Sequence, residues 1–132
     1  MHSSIIFRIR SDREVQLHAS LALLTSTLGE NLYSLKTLRA ISDGEDSALF
    51  GCEIDGALVG TAMVGTLKKS GHEFYSPFGP EALNLLNSHI IGVLRNSAVE
   101  ASHRGTGIGK ALLAERIQWI KQVGCDCVVG LS

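Results

Sequence analysis

Long apolar runs are missing from this chain of 132 residues. None approaches the roughly 20 residues of a membrane-spanning helix, and residues 1–10 have neither the basic start nor the long apolar centre of a secretory signal. No membrane partner is expected, and the cytoplasm is the expected compartment. An excess of either charge is also missing: 12 Lys and Arg stand against 13 Asp and Glu, a formal net charge of −1, so no basic face advertises nucleic acid. Cysteine is scarce, and Cys52, Cys125 and Cys127 are odd in number and contain no C-x-x-C pair. That excludes a disulfide framework and gives no zinc site, so buried thiols and no metal are expected. The two prolines, Pro77 and Pro80, both fall in one polar stretch at 68–80 with Gly71 and Gly79, which marks it as a loop.

What is present is a regular alternation of element types in a chain long enough for one domain with its own core. Residues 4–10 alternate, with Ile5, Phe7 and Ile9 on one face, and predict a first strand. Ser11 and Glu14 have the spacing of a capping box before a helix whose Leu17, Leu21, Leu24 and Leu28 form one stripe ending at Gly29. A second helix is predicted from Leu32, with Leu35, Leu38 and Ile41 on its apolar side and a stop at Asp43-Gly44. Residues 47–54 alternate again, placing Ala48, Phe50, Cys52 and Ile54 inward. Asp55-Gly56 is the two-residue signal for a type I′ hairpin, and residues 57–67 return as its second strand. One helical turn is expected at 81–86 and a strand at 89–99. A helix comes next, from Gly107, with Ile108, Leu112, Leu113, Ile117, Trp119, Ile120 and Val123 apolar and Gly124 as its cap. An apolar strand is expected at 125–131. The order is β-α-α-β-β-β-α-β.

The chemistry is concentrated in residues 103–113, H-R-G-T-G-I-G-K-A-L-L. This is a glycine-rich turn running into a helix. In the first turn of a helix four N–H groups lack intrahelical partners and the macrodipole is positive, so an anion is favoured there. Gly105, Gly107 and Gly109 leave room for a diphosphate, and Arg104 and Lys110 add cations. A nucleoside-triphosphate P-loop would need glycine at position 104 and Ser or Thr at position 111, where Arg104 and Ala111 stand. A dinucleotide fingerprint counted from Gly105 would need glycine where Lys110 stands. The remaining pattern, Arg104-x-x-Gly107-x-Gly109 after the apolar Ala98-Val99 and before Ala111-Leu112-Leu113, resembles the pyrophosphate-binding motif of the GNAT superfamily of N-acetyltransferases.

That resemblance implies an α/β (α+β) fold, with a mixed, mostly antiparallel sheet flanked by helices, over a single domain at 1–132. It implies acetyl-coenzyme A as cosubstrate and a small-molecule or protein amine as acceptor. Ser97, Ala98 and Val99 would meet the pantetheine arm in a gap between the fourth and fifth strands. The N–H groups of Gly105, Thr106, Gly107, Ile108, Gly109 and Lys110 would hold the pyrophosphate, with Arg104 supporting the loop. The Val99 N–H would hold the oxyanion. A free alkylamine has a pKa near ~10.4 and is almost wholly protonated at neutral pH, so a base or water relay is required. Glu53, Glu81, His89 and Glu100 are the candidates, with Glu100 and His89 flanking the fourth strand and none singled out by spacing. Tyr33 and Tyr75 are candidate substrate-site residues, and residues 29–33 and 68–80 are the segments expected to choose the acceptor. The family commonly carries an acid tyrosine on a further helix, whereas no tyrosine comes after Tyr75 here. A non-catalytic, regulatory acyl-coenzyme A binding module is therefore the competing class. The apolar last strand, with a bare edge, predicts pairing with a second copy in a homodimer.

Overall fold

The computed structural model describes residues 4–67 and 90–130. The chain begins with β1 (Ser4–Arg8), α1 (Glu14–Leu28), α2 (Leu35–Asp43) and β2 (Ser47–Ile54). It continues through β3 (Ala57–Leu67), β4 (Ile91–Val99), a 3-10 turn (Ala101–His103), α3 (Ile108–Gln122) and β5 (Cys127–Gly130). The strands form one sheet whose spatial order equals chain order, β1-β2-β3-β4-β5. Neighbours are antiparallel from β1 to β4, and β5 lies parallel to β4. A parallel neighbour requires a crossover, and α3 supplies it. This is the mixed, mostly antiparallel α/β architecture that the resemblance implied. The β2–β3 hairpin turns on Asp55 (φ 53°) and Gly56 (φ 80°), both left-handed as a type I′ turn demands. The expected loop at 68–80, the turn at 81–86 and His89 lie outside the described residues.

Both faces of the sheet are covered, which explains why its central strands are apolar on both sides. Ala48, Phe50 and Cys52 of β2 and Ala62 and Val64 of β3 pack beneath Ile108, Leu112, Trp119 and Ile120 of α3. Leu49, Met63 and Ala98 pack on the opposite face beneath Leu17 and Leu24 of α1 and Leu38 and Ile41 of α2. The single inward face expected for β2 is thus half of the story, since Leu49 is as fully buried as Ala48. Close approach of α3 to the sheet depends on two glycines. A Cβ on Gly60 would lie 2.8 Å from Ile108 Cγ2, and one on Gly92 would lie 2.9 Å from Ile120 Cγ1.

Several local expectations are corrected. Ser11 does not cap α1: the N-cap is Arg13, without a side-chain cap bond. Glu14 turns instead to the guanidinium of Arg39, and Arg39 Nη1 also donates to the Ser11 carbonyl at 3.3 Å. The cap chemistry appears at α2, where the Ser34 hydroxyl accepts the Thr37 N–H at 3.1 Å, so that helix starts at Leu35 and not Leu32. On α1 the buried positions are Leu17, Ser20 and Leu24, while Leu28 reaches solvent. Ser20 is buried because its hydroxyl meets that of Thr61 at 2.6 Å. On α3 the buried stripe is Ile108, Leu112, Arg116, Trp119 and Ile120, and Leu113 and Val123 are exposed.

Candidate acyl-donor site

The glycine loop has the shape its composition suggested, with one difference. Gly105 (φ +78°) and Gly107 (φ +90°) are left-handed, a conformation costly for any residue with a Cβ. Gly109 is not: it lies inside the first turn of α3 in ordinary helical conformation. A Cβ added to any of these three glycines would meet nothing within 4 Å, so the space above the start of the helix is open. The first intrahelical bond runs from the Ala111 N–H to the Gly107 carbonyl at 3.0 Å. The N–H groups of Ile108, Gly109 and Lys110 therefore precede it, and point along the helix axis into that space.

Short-range bonds hold the loop. Arg104 Nε donates to the Val99 carbonyl at 3.2 Å, tying the loop to the end of β4. The Thr106 hydroxyl donates to the His103 carbonyl. Ile108 anchors the helix start in the core at 4 % exposure, whereas Arg104, Thr106 and Lys110 remain at the surface.

β4 carries an irregularity next to this loop. Its register with β3 runs Val64 opposite Leu94 and then Ala62 opposite Ser97, so Arg95 and Asn96 together face Met63. This is a β-bulge, which bends a strand and re-aims the residues beyond it. Past the bulge the Glu100 N–H donates to the Val59 carbonyl at 2.8 Å and so points at β3. Because main-chain groups alternate along a strand, the Ser97 and Val99 N–H groups point the other way. On that side, among the described residues, β5 pairs only with Ile91 to Leu94. Ser97, Val99 and the loop from Arg104 to Lys110 are thus brought to one side of the carboxyl end of β4. Ala98 turns its main chain to β3 and its methyl group into the core beneath α1 and α2.

The candidate bases are placed unevenly. Glu100 accepts a bond from the Ser102 hydroxyl at 2.8 Å, and lies 4.0 Å from His103 Nδ1, bracing the 3-10 turn. Glu53 is half-buried on β2. His89, Glu81 and Tyr75 lie outside the described residues. Burial pushes the Cys52 and Cys125 thiols up, away from nucleophilic thiolate. Two contacts are not apparent from the sequence. Asn96 Nδ2 donates to the Tyr33 hydroxyl at 2.7 Å, joining the segment between α1 and α2 to the bulge. Arg116 Nη1 donates to the carbonyls of Arg95 at 3.0 Å and Met63 at 3.4 Å. The polar run Arg95-Asn96-Ser97 within an apolar strand, and a charge at the third of the four evenly spaced positions 108, 112, 116 and 120, are the signals that mark them.

The chain belongs to the acetyltransferase (GNAT) family, whose profile matches residues 17–131. Among characterised proteins it is similar to the aminoglycoside N(6′)-acetyltransferase type 1 of Stenotrophomonas maltophilia. The two are 29% identical over 87 residues, which is 66% of this chain and 49% of that protein. The chain therefore spans about half the length of that relative. Among solved structures it is similar to aminoglycoside acetyltransferase AAC(6′)-Iy bound to the bisubstrate analogue CoA-S-monomethyl-acetylneamine. That match has a TM-score of 0.76 at 18% identity, over 98% of this chain and 80% of that one. It is similar too to a ribosomal-protein-alanine N-acetyltransferase from Brucella melitensis biovar Abortus 2308, with a TM-score of 0.67 at 18% identity over 98% and 80% of the respective chains. At such identities the structural likeness speaks to the fold, and the two neighbours differ in acceptor by their names.

Proposed function

We propose that this chain is an acetyl-coenzyme A dependent N-acetyltransferase whose acceptor is the primary amine of a small molecule. The observation that carries the proposal is the convergence of two rows of main-chain donors. The N–H groups at the start of α3 meet an open space shaped by left-handed glycines, and the Ser97 and Val99 N–H groups turn to the side of β4 that, among the described residues, β5 does not cover there. The first row suits a diphosphate and the second an extended amide-bearing arm. The residues present therefore fit coenzyme A. In the reaction the acceptor nitrogen attacks the thioester carbonyl, the C–N bond forms as the C–S bond breaks, and the departing sulfur takes up a proton as the nitrogen loses one. The Val99 N–H is the donor we assign to the developing oxyanion. A small-molecule acceptor is favoured because the relative in sequence carries an aminoglycoside enzyme's name.

The test is paired. Coenzyme A titrated calorimetrically should bind, and at about a hundred times its Kd it should stabilise the fold by roughly 2.7 kcal/mol. Thiol release from acetyl-coenzyme A should then depend on a panel of aminoglycosides, polyamines and amino-terminal peptides, with the small molecules the better acceptors. Absence of binding refutes the site. Binding without turnover on any amine supports the non-catalytic module instead.

A further inference from the structure

The least expected side chain in the core is Arg116. It occupies the centre of the apolar stripe of α3, between Leu112 and Ile120, and is only 7% exposed. A guanidinium in such a place is costly, and an aliphatic side chain of similar size would usually be the more stable choice. Among the described residues no carboxylate neutralises it, and burial alone pushes its pKa down. Its Nε is buried and has no hydrogen-bond partner among the described residues. What the group does have is Nη1 placed between two main-chain carbonyls, Arg95 O at 3.0 Å and Met63 O at 3.4 Å. These belong to the residues that face each other across the β4 bulge.

We propose that Arg116 is a positioning residue for the acyl-donor site: by holding the Met63 and Arg95 carbonyls it pins the bulge in β4 and so fixes which N–H groups face the coenzyme. This rests on the donor site proposed above. A bulge interrupts the ladder and leaves main-chain groups without their regular partners, and buried carbonyls must be satisfied by something. A charged donor does so more strongly than a neutral one. The consequence reaches the site through register. One residue of slip along a strand exchanges its two faces and the direction of its main-chain groups. Before the bulge β4 is registered by β5 at Ile91 to Leu94, and after it by β3 through the Glu100 N–H. The extra residue between these two fixed stretches determines that Ser97 and Val99, and not Ala98, turn outward. Arg116 holds that extra residue where it is.

The experiment compares coenzyme A with adenosine 5′-diphosphate, which has a diphosphate for the loop and no pantetheine arm for β4. Titration calorimetry on the full chain gives the ratio of the two affinities for the parent, Arg116→Met and Arg116→Lys. Arg116→Met is expected to leave the diphosphate affinity unchanged and to lower coenzyme A affinity by about tenfold, the effect of one or two misdirected hydrogen bonds. Arg116→Lys, which keeps a charged donor on a shorter side chain, should lie between. A parental affinity ratio in either folded variant overturns the proposal, since a merely structural arginine would change Tm alone. Should the methionine variant not fold, the lysine variant and hydrogen exchange of the unaltered protein decide. Apart from the outward Ser97 and Val99, amides of residues 93–98 must be protected as well as those of 59–64, and fast exchange there refutes the clamp. Failure of the parent to bind coenzyme A would be a failure of the site itself and is recognised separately.

Discussion

Replacing Gly109 by alanine should make the protein more stable and its ligand binding worse. The opposite signs come from two facts. Gly109 is helical and sits in the first turn of α3, with nothing within 4 Å of the position its Cβ would take. Alanine there removes the conformational freedom that glycine gains on unfolding, a stabilisation of about 0.5–1 kcal/mol. For a domain of this size that is an upward Tm shift of about 2–5 °C. The methyl group, however, projects into the open space that the loop surrounds, where a diphosphate would approach the main chain. Coenzyme A affinity should therefore fall. Gly107→Ala is the control with a different stability sign: at φ +90° a Cβ clashes with its own backbone, costing about 1–2 kcal/mol. Urea unfolding followed by tryptophan fluorescence gives the stabilities, and titration calorimetry gives the affinities. A Gly109→Ala protein that is less stable than the parent would show that the helix does not begin at Ile108. One that is more stable but binds coenzyme A as tightly as the parent would place the diphosphate elsewhere.

Two further expectations concern the scaffold. The Thr61 hydroxyl donates to the Phe50 carbonyl at 3.0 Å, so the Ser20 hydroxyl must be the donor in the 2.6 Å contact between them. Thr61→Val then strands both partners and should cost about 1–3 kcal/mol. Ser20→Ala leaves the bond to Phe50 intact and should cost about 0.5–1.5 kcal/mol, and reversal of that order in urea unfolding would contradict the assigned proton positions. The Glu14 carboxyl is held below its ordinary range by its hydrogen bond to Arg39, then by the charges of Arg39 and His18. Folding lowers this pKa, so its contribution is complete above the ordinary carboxylate range and is lost as pH falls through the lowered value. The gap in urea midpoint between parent and Glu14→Gln should be small at neutral pH, because the pair is exposed, and should close in acid. A gap that widens in acid refutes the pairing.

Elements with strong periodicity and defined turn chemistry are legible in the chain. The β2–β3 hairpin is one, because Asp55-Gly56 admits few conformations. The strand that begins at Ser47 is another. The loop from Arg104 to Lys110 is legible because glycine spacing before a helix has few alternative uses. The features that escape a reading of the sequence depend on partners distant along it. Glu14 three residues after Ser11 satisfies a local rule, yet Arg39 of α2 draws the carboxylate away and the cap does not form. Ser20 and Arg116 look like solvent-facing polar positions, because a periodicity count cannot see that Thr61 or a bulged carbonyl waits beneath them. The bulge itself leaves only a polar run, Arg95-Asn96-Ser97. Its location is set by pairing on both sides of β4 and not by those three residues alone.

One helix bears on both halves of the proposed donor site, since α3 begins at the glycine loop and holds Arg116 under the bulge of β4. Its distance from the sheet should therefore control coenzyme affinity even where no ligand is touched. Gly60 tests this. It stands opposite Val99 in the sheet, and a Cβ there would come within 2.8 Å of Ile108 Cγ2 and 3.1 Å of Leu112 Cδ1, at the loop end of the helix. Gly92 makes the comparison fair, because its Cβ would come within 2.9 Å of both Ile120 Cγ1 and Cγ2 near the other end. Overpacking of either kind costs about 1–3 kcal/mol. Ile108 Cγ2 is a branch methyl close to the backbone, so Gly60→Ala must lift the first turn of α3 away from β3. The N–H groups of Ile108, Gly109 and Lys110 then move relative to Ser97 and Val99. Gly92→Ala lifts the far end and leaves that relation intact. The two variants should lose similar stability in urea while only Gly60→Ala loses coenzyme A affinity. Equal affinities in both would mean that the loop moves with the end of β4, to which Arg104 ties it, and not with the helix that it begins.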